Sequence, residues 1–581
     1  MHSKSGYTVV IALACLSAAL FAAEKPKTAV DPNASMLSSE SAQPAKETID
    51  YTMYQRIRDE GLRHSHVMEY ASALMDGIGP RLTGSPNLKR ANEWTRDQFT
   101  AMGCSDAHLE DWGEFGMGWQ QLNTWVRMVS PDTAVFIAQA APWSASSNGA
   151  VNGPAIWMSV KKVEELEKFK GRLGGKIVLL GDMREVKPVE KPLFTRMTDQ
   201  DLAKEVEYPL PPREDYSQYV KEFPEREELR EKTIQLLVSE HALGVILPSR
   251  GGQDSGGSGG TIFDDDNLIW SAFMKEHAVA VPVVIMAIEN YGRVYRLLEA
   301  RVPVNVEMNV DTRFTGDHEH GFNTIAEIPG TDPKLKNEIV MLGAHLDSWA
   351  AATGATDNGA GTVVSMEVMR ILNALQVKPR RTIRVGLWTG EEEGEYGSAG
   401  YVKQHFGYVP TSTAPDQLKL PEWLRKPGGP IELKPDQQKI SAYFNLDNGT
   451  GKILGIYVEH NAAIAPVFAQ WIEPLKDLAV TTVTLRGTED TDHESFDAIG
   501  IPAFQFLQDD MDYETRTHHS NMDTYERLQE GDLAQAATVE AIFVYNTAMR
   551  DQMLPRKPLP QPELEEERRA PLKKLMPGAQ E

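Results

Sequence analysis

The sequence predicts an α/β fold built on a mainly parallel central sheet. Two observations carry that expectation. From Asn323 onward, short apolar runs alternate with stretches of helical spacing, the rhythm of strand–helix–strand units. The runs are continuous rather than alternating, as in Ile339-Val340-Met341-Leu342, which suits strands covered on both faces. Composition agrees, because 41% hydrophobic and 24% charged residues in a chain of 581 allow a sizeable core and exclude wholesale disorder.

Taken in order, the chain opens with Lys4, an apolar stretch from Tyr7 to Ala23 and the polar Glu24-Lys25-Pro26-Lys27. A basic start, apolar middle and small residues at the end read as a secretory signal over 1–23. An uncleaved anchor is the alternative, and Ala12-Leu13-Ala14 before Cys15 is a loose lipoprotein match. Residues 24–47 are rich in Ala, Ser, Pro and Lys without apolar period and read as a flexible linker. Residues 51–103 carry helical stretches around Gly79-Pro80-Arg81-Leu82-Thr83-Gly84-Ser85. Between 140 and 305, short strands such as 155–158, 176–180, 244–247 and 281–285 are separated by Gly and Pro. Gly251–Gly260 reads as a long surface loop, and it does not open a helix after a strand as a phosphate cradle would. The strands predicted next are 339–342, 383–388, 442–446 and 501–507, with a helix over 363–375. The Pro-rich, charged end of the chain, 553–581, is expected outside the core.

Charge and cysteine content narrow the function. Fifty-nine basic against 83 acidic residues give a net charge of −24, which repels phosphate backbones and anionic lipid, so nucleic acid is excluded as a partner. A mean hydropathy of −0.37 with one long apolar run excludes a polytopic membrane protein, and no stable membrane insertion is expected once the signal is cleaved. Cys15 and Cys104 are the two cysteines. Removal of the signal leaves one thiol and no internal disulfide, as suits a large periplasmic or secreted bacterial enzyme.

In parallel sheets, ligands gather beyond the carboxyl ends of the strands. There the sequence places His345 and Asp347 after the first strand, with Asp357 in the following loop, Glu391 and Glu392 after the second, Asp447 after the third, and His518, His519 and Asp523 after the fourth. A single such residue is ordinarily a cap or a solvated side chain. Recurrence at successive strand ends points to a metal centre, and imidazole with carboxylate but no thiolate suits zinc, less often manganese or cobalt. Asp357, Glu392 and Asp447 bring three negative charges against the four positive charges of two divalent ions, and one hydroxide brings the sum to zero.

These motifs resemble the di-zinc exopeptidase family that includes carboxypeptidase Q, glutamate carboxypeptidase II and secreted bacterial leucyl aminopeptidases. His345-Leu346-Asp347-Ser348, Asp357-Asn358-Gly359-Ala360-Gly361, Glu391-Glu392-Glu393-Gly394-Glu395-Tyr396-Gly397-Ser398, Asp447, and His519-Ser520-Asn521-Met522-Asp523-Thr524 carry the likeness. The 79–85 motif and Asn323-Thr324-Ile325-Ala326-Glu327-Ile328-Pro329-Gly330 look most like the carboxypeptidase Q branch. The likeness spans roughly residues 50–550. It implies a zinc-exopeptidase domain with a mostly parallel, mixed central sheet flanked by helices (48–139 and 306–552), interrupted by a β-rich protease-associated insert (140–305).

The resemblance also implies two Zn2+ per chain and a peptide substrate. His345 and Asp447 would hold one ion, Glu392 and His519 the other, and Asp357 both. Asp347 would accept a hydrogen bond from His345 and fix its tautomer. Glu391 would be the general base for the attacking water and hand the proton to the leaving amine. A homodimer is implied by likeness to carboxypeptidase Q. Where several relatives carry Tyr before the last ligand, this chain has His518, which could donate to the oxyanion or serve in packing. His318-Glu319-His320 reads as a solvated turn, and Asp492-His493-Glu494-Ser495-Phe496 resembles a segment near the substrate pocket. An acid surplus (Glu393, Glu395, Asp509, Asp510, Asp512) favours recognition of an amine, hence an aminopeptidase or dipeptidase. A carboxypeptidase of the glutamate carboxypeptidase type is the alternative, and a one-zinc glutaminyl cyclase or a non-catalytic receptor such as transferrin receptor fits less well.

Overall fold

The computed structural model describes residues 46–207, 217–252, 257–266, 268–269 and 271–559. The signal expected over 1–23, almost all of the linker, the middle of the Gly251–Gly260 run and the chain beyond 559 lie outside the described residues. Among the described residues, no helix is long and apolar enough to cross a membrane.

The chain enters through helices α1 (Tyr51–Arg63), α2 (Val67–Ala71) and α3 (Pro86–Ala101), the last opened by Ser85 accepting from the Leu88 amide and by Pro86 in its first turn. It then runs through β1 (Ser105–Ser130), β2 (Ala134–Phe136), β3 (Ala138–Ala140), β4 (Val151–Met158), β5 (Ile177–Leu180), α4 (Asp199–Val206), α5 (Ser217–Ser239), β6 (Gly244–Pro248), β7 (Val283–Met286), α6 (Ile288–Glu299) and β8 (Asn305–Ile328). The remainder comprises β9 (Ile339–His345), α7 (Ala360–Ala374), β10 (Thr382–Trp388), α8 (Tyr396–His405), β11 (Gly407–Tyr408), β12 (Glu432–Leu433), β13 (Ile440–Asn445), β14 (Ile453–Tyr457), α9 (Ala465–Ile472), β15 (Thr482–Thr484), α10 (His493–Asp497), β16 (Ala503–Gln508) and α11 (Glu530–Met549).

All these strands except the short β11–β12 ladder join one sheet, in the order β15-β14-β16-β13-β9-β10-β8-β4-β5-β6-β7-β3, with β1 paired to β8 and β2 to β1. Its centre, β16-β13-β9-β10, is parallel throughout, so four carboxyl ends fall on one edge. The predicted strands fall on β4 to β7, β9, β10, β13 and β16, with those at 176, 281, 446 and 501 overrunning the observed ends by one or two residues. The long strand β8 serves both halves of the sheet. Its end at 324–328 pairs with β10 and its start at 305–308 with β4. His318 and His320 lie inside β8, so the predicted turn there is strand. Pairing with β1 sets them against Glu114 and Asp111, at 2.5 and 2.8 Å.

One core packs α1, α7 and α11 against one face of the central strands. A second is built from residues between Leu82 and Trp349, with β5, β6 and β7 at its middle. A third, smaller cluster of Trp388, Tyr401, Tyr443 and Phe496 packs with α8 and α10. Helix α7 is apolar on nearly every side because it is covered on nearly every side. Its start presses on the end of β13, where a Cβ on Gly361 would stand 2.2 Å from the Leu446 carbonyl oxygen, so only glycine fits.

Helix α11 is equally buried and carries Glu540, whose carboxylate oxygens are without hydrogen-bond partners. Burial alone raises its pKa well above the usual carboxylate range. The folded protein therefore holds a proton that the unfolded chain releases above pH ~4.3. The stability this proton supports is full below that pH and is lost as pH rises toward the folded-state value. Glu540→Gln should thus be more stable than the parent at neutral pH, by about 1–3 kcal/mol. The gain should shrink as pH falls toward 4. Thermal melts of the two proteins across pH 4–8 check this, and a gain independent of pH would contradict it.

Candidate metal centre

The side chains at the four strand ends meet. His345, the last residue of β9, is fully buried, with Nε2 3.4 Å from Asp357 Oδ1 and 3.3 Å from Asp447 Oδ1. His519 Nε2 stands 3.0 Å from Glu392 Oε2 and 3.4 Å from Asp357 Oδ2. Asp357 thus faces one imidazole with each oxygen. Glu391 Oε2 lies 3.9 Å from His345 Nε2. Two compact ligand groups result: His345, Asp357 and Asp447, and Asp357, His518 and His519, each with atoms mutually within 4.8 Å. The second group has His518 as its third member, where the sequence reading has Glu392.

Several of these atoms are orphaned. His345 Nε2, Asp357 Oδ2, Glu392 Oε1 and Asp447 Oδ1 are buried without a hydrogen-bond partner. Buried polar atoms left unpaired cost on the order of 1–3 kcal/mol each, and bound cations would satisfy all four. The donor set, imidazole and carboxylate without thiolate, fits zinc.

The surrounding hydrogen bonds fix the ligands. Asp523 accepts from the amides of Thr356 (2.6 Å) and Asp357 (3.1 Å), holding the turn that presents Asp357. Asp447 accepts from Thr491 Oγ1 at 2.7 Å, and Thr491 accepts from Asn445 Nδ2 at 2.9 Å. Tyr443 donates to Asn445 Oδ1 at 2.6 Å and accepts from Trp388 Nε1 at 2.7 Å, so a buried chain links β10 and β13 to Asp447. Asp347 Oδ1 is 3.6 Å from His345 Nδ1, while its Oδ2 accepts from Thr83 Oγ1 (3.0 Å) and the Glu392 amide (3.3 Å). The nearer contact of His345 Nδ1 is the Asp347 backbone oxygen at 3.2 Å. Arg81, fully buried, donates from its guanidinium to the carbonyls of Leu346, Thr353 and Gly354 at 2.6–2.8 Å, tying the 79–85 motif to the loop after β9.

His518 is one-third exposed, lies tilted against the rings of Tyr513 and His519, and stands 3.9 Å from Asp357 Oδ2. Burial, then the adjacent His519, pushes its pKa down to about 4, so the ring is neutral. Burial raises the Glu391 carboxyl well above the carboxylate range; Asp447 and Asp492 push the same way and His345 opposes them.

Two features went unread in the sequence. The end of the Gly251–Gly260 run is no free surface loop, because the Gly260 carbonyl accepts from Asn521 Nδ2 at 3.1 Å. Beyond it, Asp265 Oδ2 lies 3.0 Å from His519 Nδ1. Three consecutive aspartates after a glycine run, Asp264-Asp265-Asp266, were the available signal. Asp509, counted above among acids free to meet an amine, is instead paired with Arg196 at 2.7 Å.

Comparison with known proteins decides the family. Residues 323–544 match Peptidase family M28. They are an M28 peptidase domain. The protein carrying it is a zinc metallopeptidase. The whole chain is 24% identical to carboxypeptidase Q of Mus musculus over 521 residues, covering 88% of this chain and 90% of that one. It is 28% identical over 190 residues to leupeptin-inactivating enzyme 1 of Streptomyces exfoliatus, covering 32% and 36%. Among solved structures, the M28 peptidase precursor of Shewanella amazonensis SB2B superposes with a TM-score of 0.58 at 21% identity, covering 88% and 98%. At that identity the likeness speaks for the fold, a mixed, mostly parallel sheet flanked by helices.

Proposed function

We propose that the M28 chain is a co-catalytic di-zinc exopeptidase acting at the amino end of peptides or on dipeptides. The observation that carries this reading is the set of orphaned ligand atoms converging on Asp357. His345 and Asp447 would hold one ion, His519 and Glu392 the other, with Asp357 shared. Zinc bound there would supply Lewis acidity toward the scissile carbonyl and lower the pKa of a nearby water.

The chain's own residues do the rest. Glu391 takes a proton from the attacking water at its carboxylate and delivers it to the leaving amine. Asp347 orients the His345 ring. The neutral His518 offers an N–H toward the oxyanion that develops on the carbonyl. Recognition of an amine is supported by the acids crowded beside the site. Glu395, half-buried, has its pKa raised well above normal by burial and then by Glu494, Asp492 and Asp490, a crowd of acids that sets a negative potential there. Arg81, the buried cation described above, spends its guanidinium on backbone carbonyls and offers little to a substrate carboxylate. Residues 140–305 are read as a protease-associated insert, and the apolar stretch from Tyr7 to Ala23 as a signal for export to the periplasm or medium.

Carboxypeptidase action is the second reading, favoured by likeness to carboxypeptidase Q along nearly its whole length. One experiment separates the two. Purified protein is incubated with a peptide mixture with and without chelator, and the products are read by mass spectrometry. Chelator-sensitive loss of amino-terminal residues is expected. Loss from the carboxyl end would establish the second reading, and no chelator-sensitive cleavage would refute both.

A further inference from the structure

Residues 260–266, with Arg250, reach the metal centre and build the outer side of His519. Phe263 bridges to Ser520 in antiparallel pairing, and the Asp264 amide donates to the His519 carbonyl at 3.2 Å. Ile262 and Asn521 exchange two further bonds, at 2.8 Å through the Asn521 side chain and 2.9 Å through its amide. These contacts clamp His519, which sits at φ +56°, a left-handed conformation that costs a non-glycine residue about 1 kcal/mol or more. Within the clamp, Asp265 Oδ2 is 3.0 Å from His519 Nδ1. Its other oxygen accepts from Arg250 Nε at 2.6 Å, and the Arg250 guanidinium stacks 4.1 Å over the Phe263 ring.

We propose that Asp265 is a positioning residue for the metal centre. By accepting the Nδ1–H of His519 it fixes the tautomer that leaves Nε2 free to ligate, beside Glu392 and Asp357. At the first imidazole His345 likewise turns Nε2 inward and Nδ1 toward Asp347, where the nearer acceptor is the backbone oxygen at 3.2 Å and the carboxylate stands at 3.6 Å. The two halves differ in the source of the carboxylate. Asp347 follows its histidine by two residues, whereas Asp265 comes from 254 residues away. Residues 260–266, between β6 and β7, therefore complete the metal centre. A carboxylate in this position raises the basicity of the ring, and loss of such a partner costs 10–100-fold in metal affinity.

The inference rests on His519 being a metal ligand, so the test keeps the two apart. Zinc affinity and stoichiometry are measured by competition against a chromophoric chelator for the parent, His519→Ala, Asp265→Ala and Asp265→Asn. Thermal melts of the metal-free forms report folding. The parent should bind two ions and His519→Ala one tightly. Asp265→Ala should bind one ion as the parent does and the other 10–100-fold more weakly. Asp265→Asn, which keeps the shape and a neutral acceptor, should recover part of the loss; it also decides the matter should the alanine variant fail to fold. Two ions bound with unchanged affinity in both Asp265 variants would overturn the positioning role while leaving the metal reading intact. A parent that binds no zinc, or a His519→Ala that binds two ions as tightly, would overturn the reading itself.

Discussion

Glu391→Gln should lower kcat by about 10²–10⁴-fold while leaving the zinc content unchanged. The substitution keeps volume and hydrogen-bonding shape and removes only the capacity to accept a proton. Glu391 lies beside the ligand groups without belonging to either compact set, 3.9 Å from His345 Nε2, so ion binding should survive. The backbone turn it opens, in which its carbonyl accepts from Gly394 and Glu395 at 2.8 and 2.9 Å, does not depend on its side chain. The checks are kcat and KM on a dipeptide together with metal analysis of the same preparation. Activity within tenfold of the parent would assign the proton transfer elsewhere. Loss of zinc alongside activity would mark Glu391 as a ligand.

The central sheet was legible in the sequence because each of its strands is a short apolar run, and two of these runs lead within a few residues into a group that a buried strand would not otherwise tolerate. His345 and Asp447 are conspicuous for that reason. What could not be read are contacts that depend on which distant segment comes to rest beside the site. Asp265 looks like one of many surface acids until the 260–266 segment pairs with 519–521. Thr491 holds Asp447, yet it stands in a stretch whose sequence shows neither period nor motif. The same blindness produced the turn expected at His318–His320, since alternating charged residues in an exposed strand carry no apolar signal. Asp509 was misjudged because its partner Arg196 lies over 300 residues earlier in a segment without regular pattern.

Removing the shared ligand should have the second large effect, and it separates two energies that the parent confounds. Asp357→Ala deletes the carboxylate that faces both His345 Nε2 and His519 Nε2. Neither group can then gather its full set, so tight zinc binding should fall from two ions to at most one. The loss of affinity should exceed the 10–100-fold expected for an outer carboxylate, and peptidase activity should fall below detection. Stability should fall in the metal-free state as well. There burial works against the Asp357 carboxylate, but the imidazoles of His345 and His519 at 3.4 Å on either side hold its pKa below the usual carboxylate range, so its charge supports the fold. That pairing outweighs the push it gives Glu392, whose pKa burial and then Asp357 raise to about 7. Ligands that bind only the folded state stabilise it by mass action, so chelator should lower the melting temperature of the parent sharply and that of Asp357→Ala little. The metal-free variant should melt below the metal-free parent. A variant that still melts with a strong chelator response would show that the ions are held without Asp357. One that is as stable as the metal-free parent, or more so, would show that the pairing of Asp357 with the two imidazoles adds nothing to the fold.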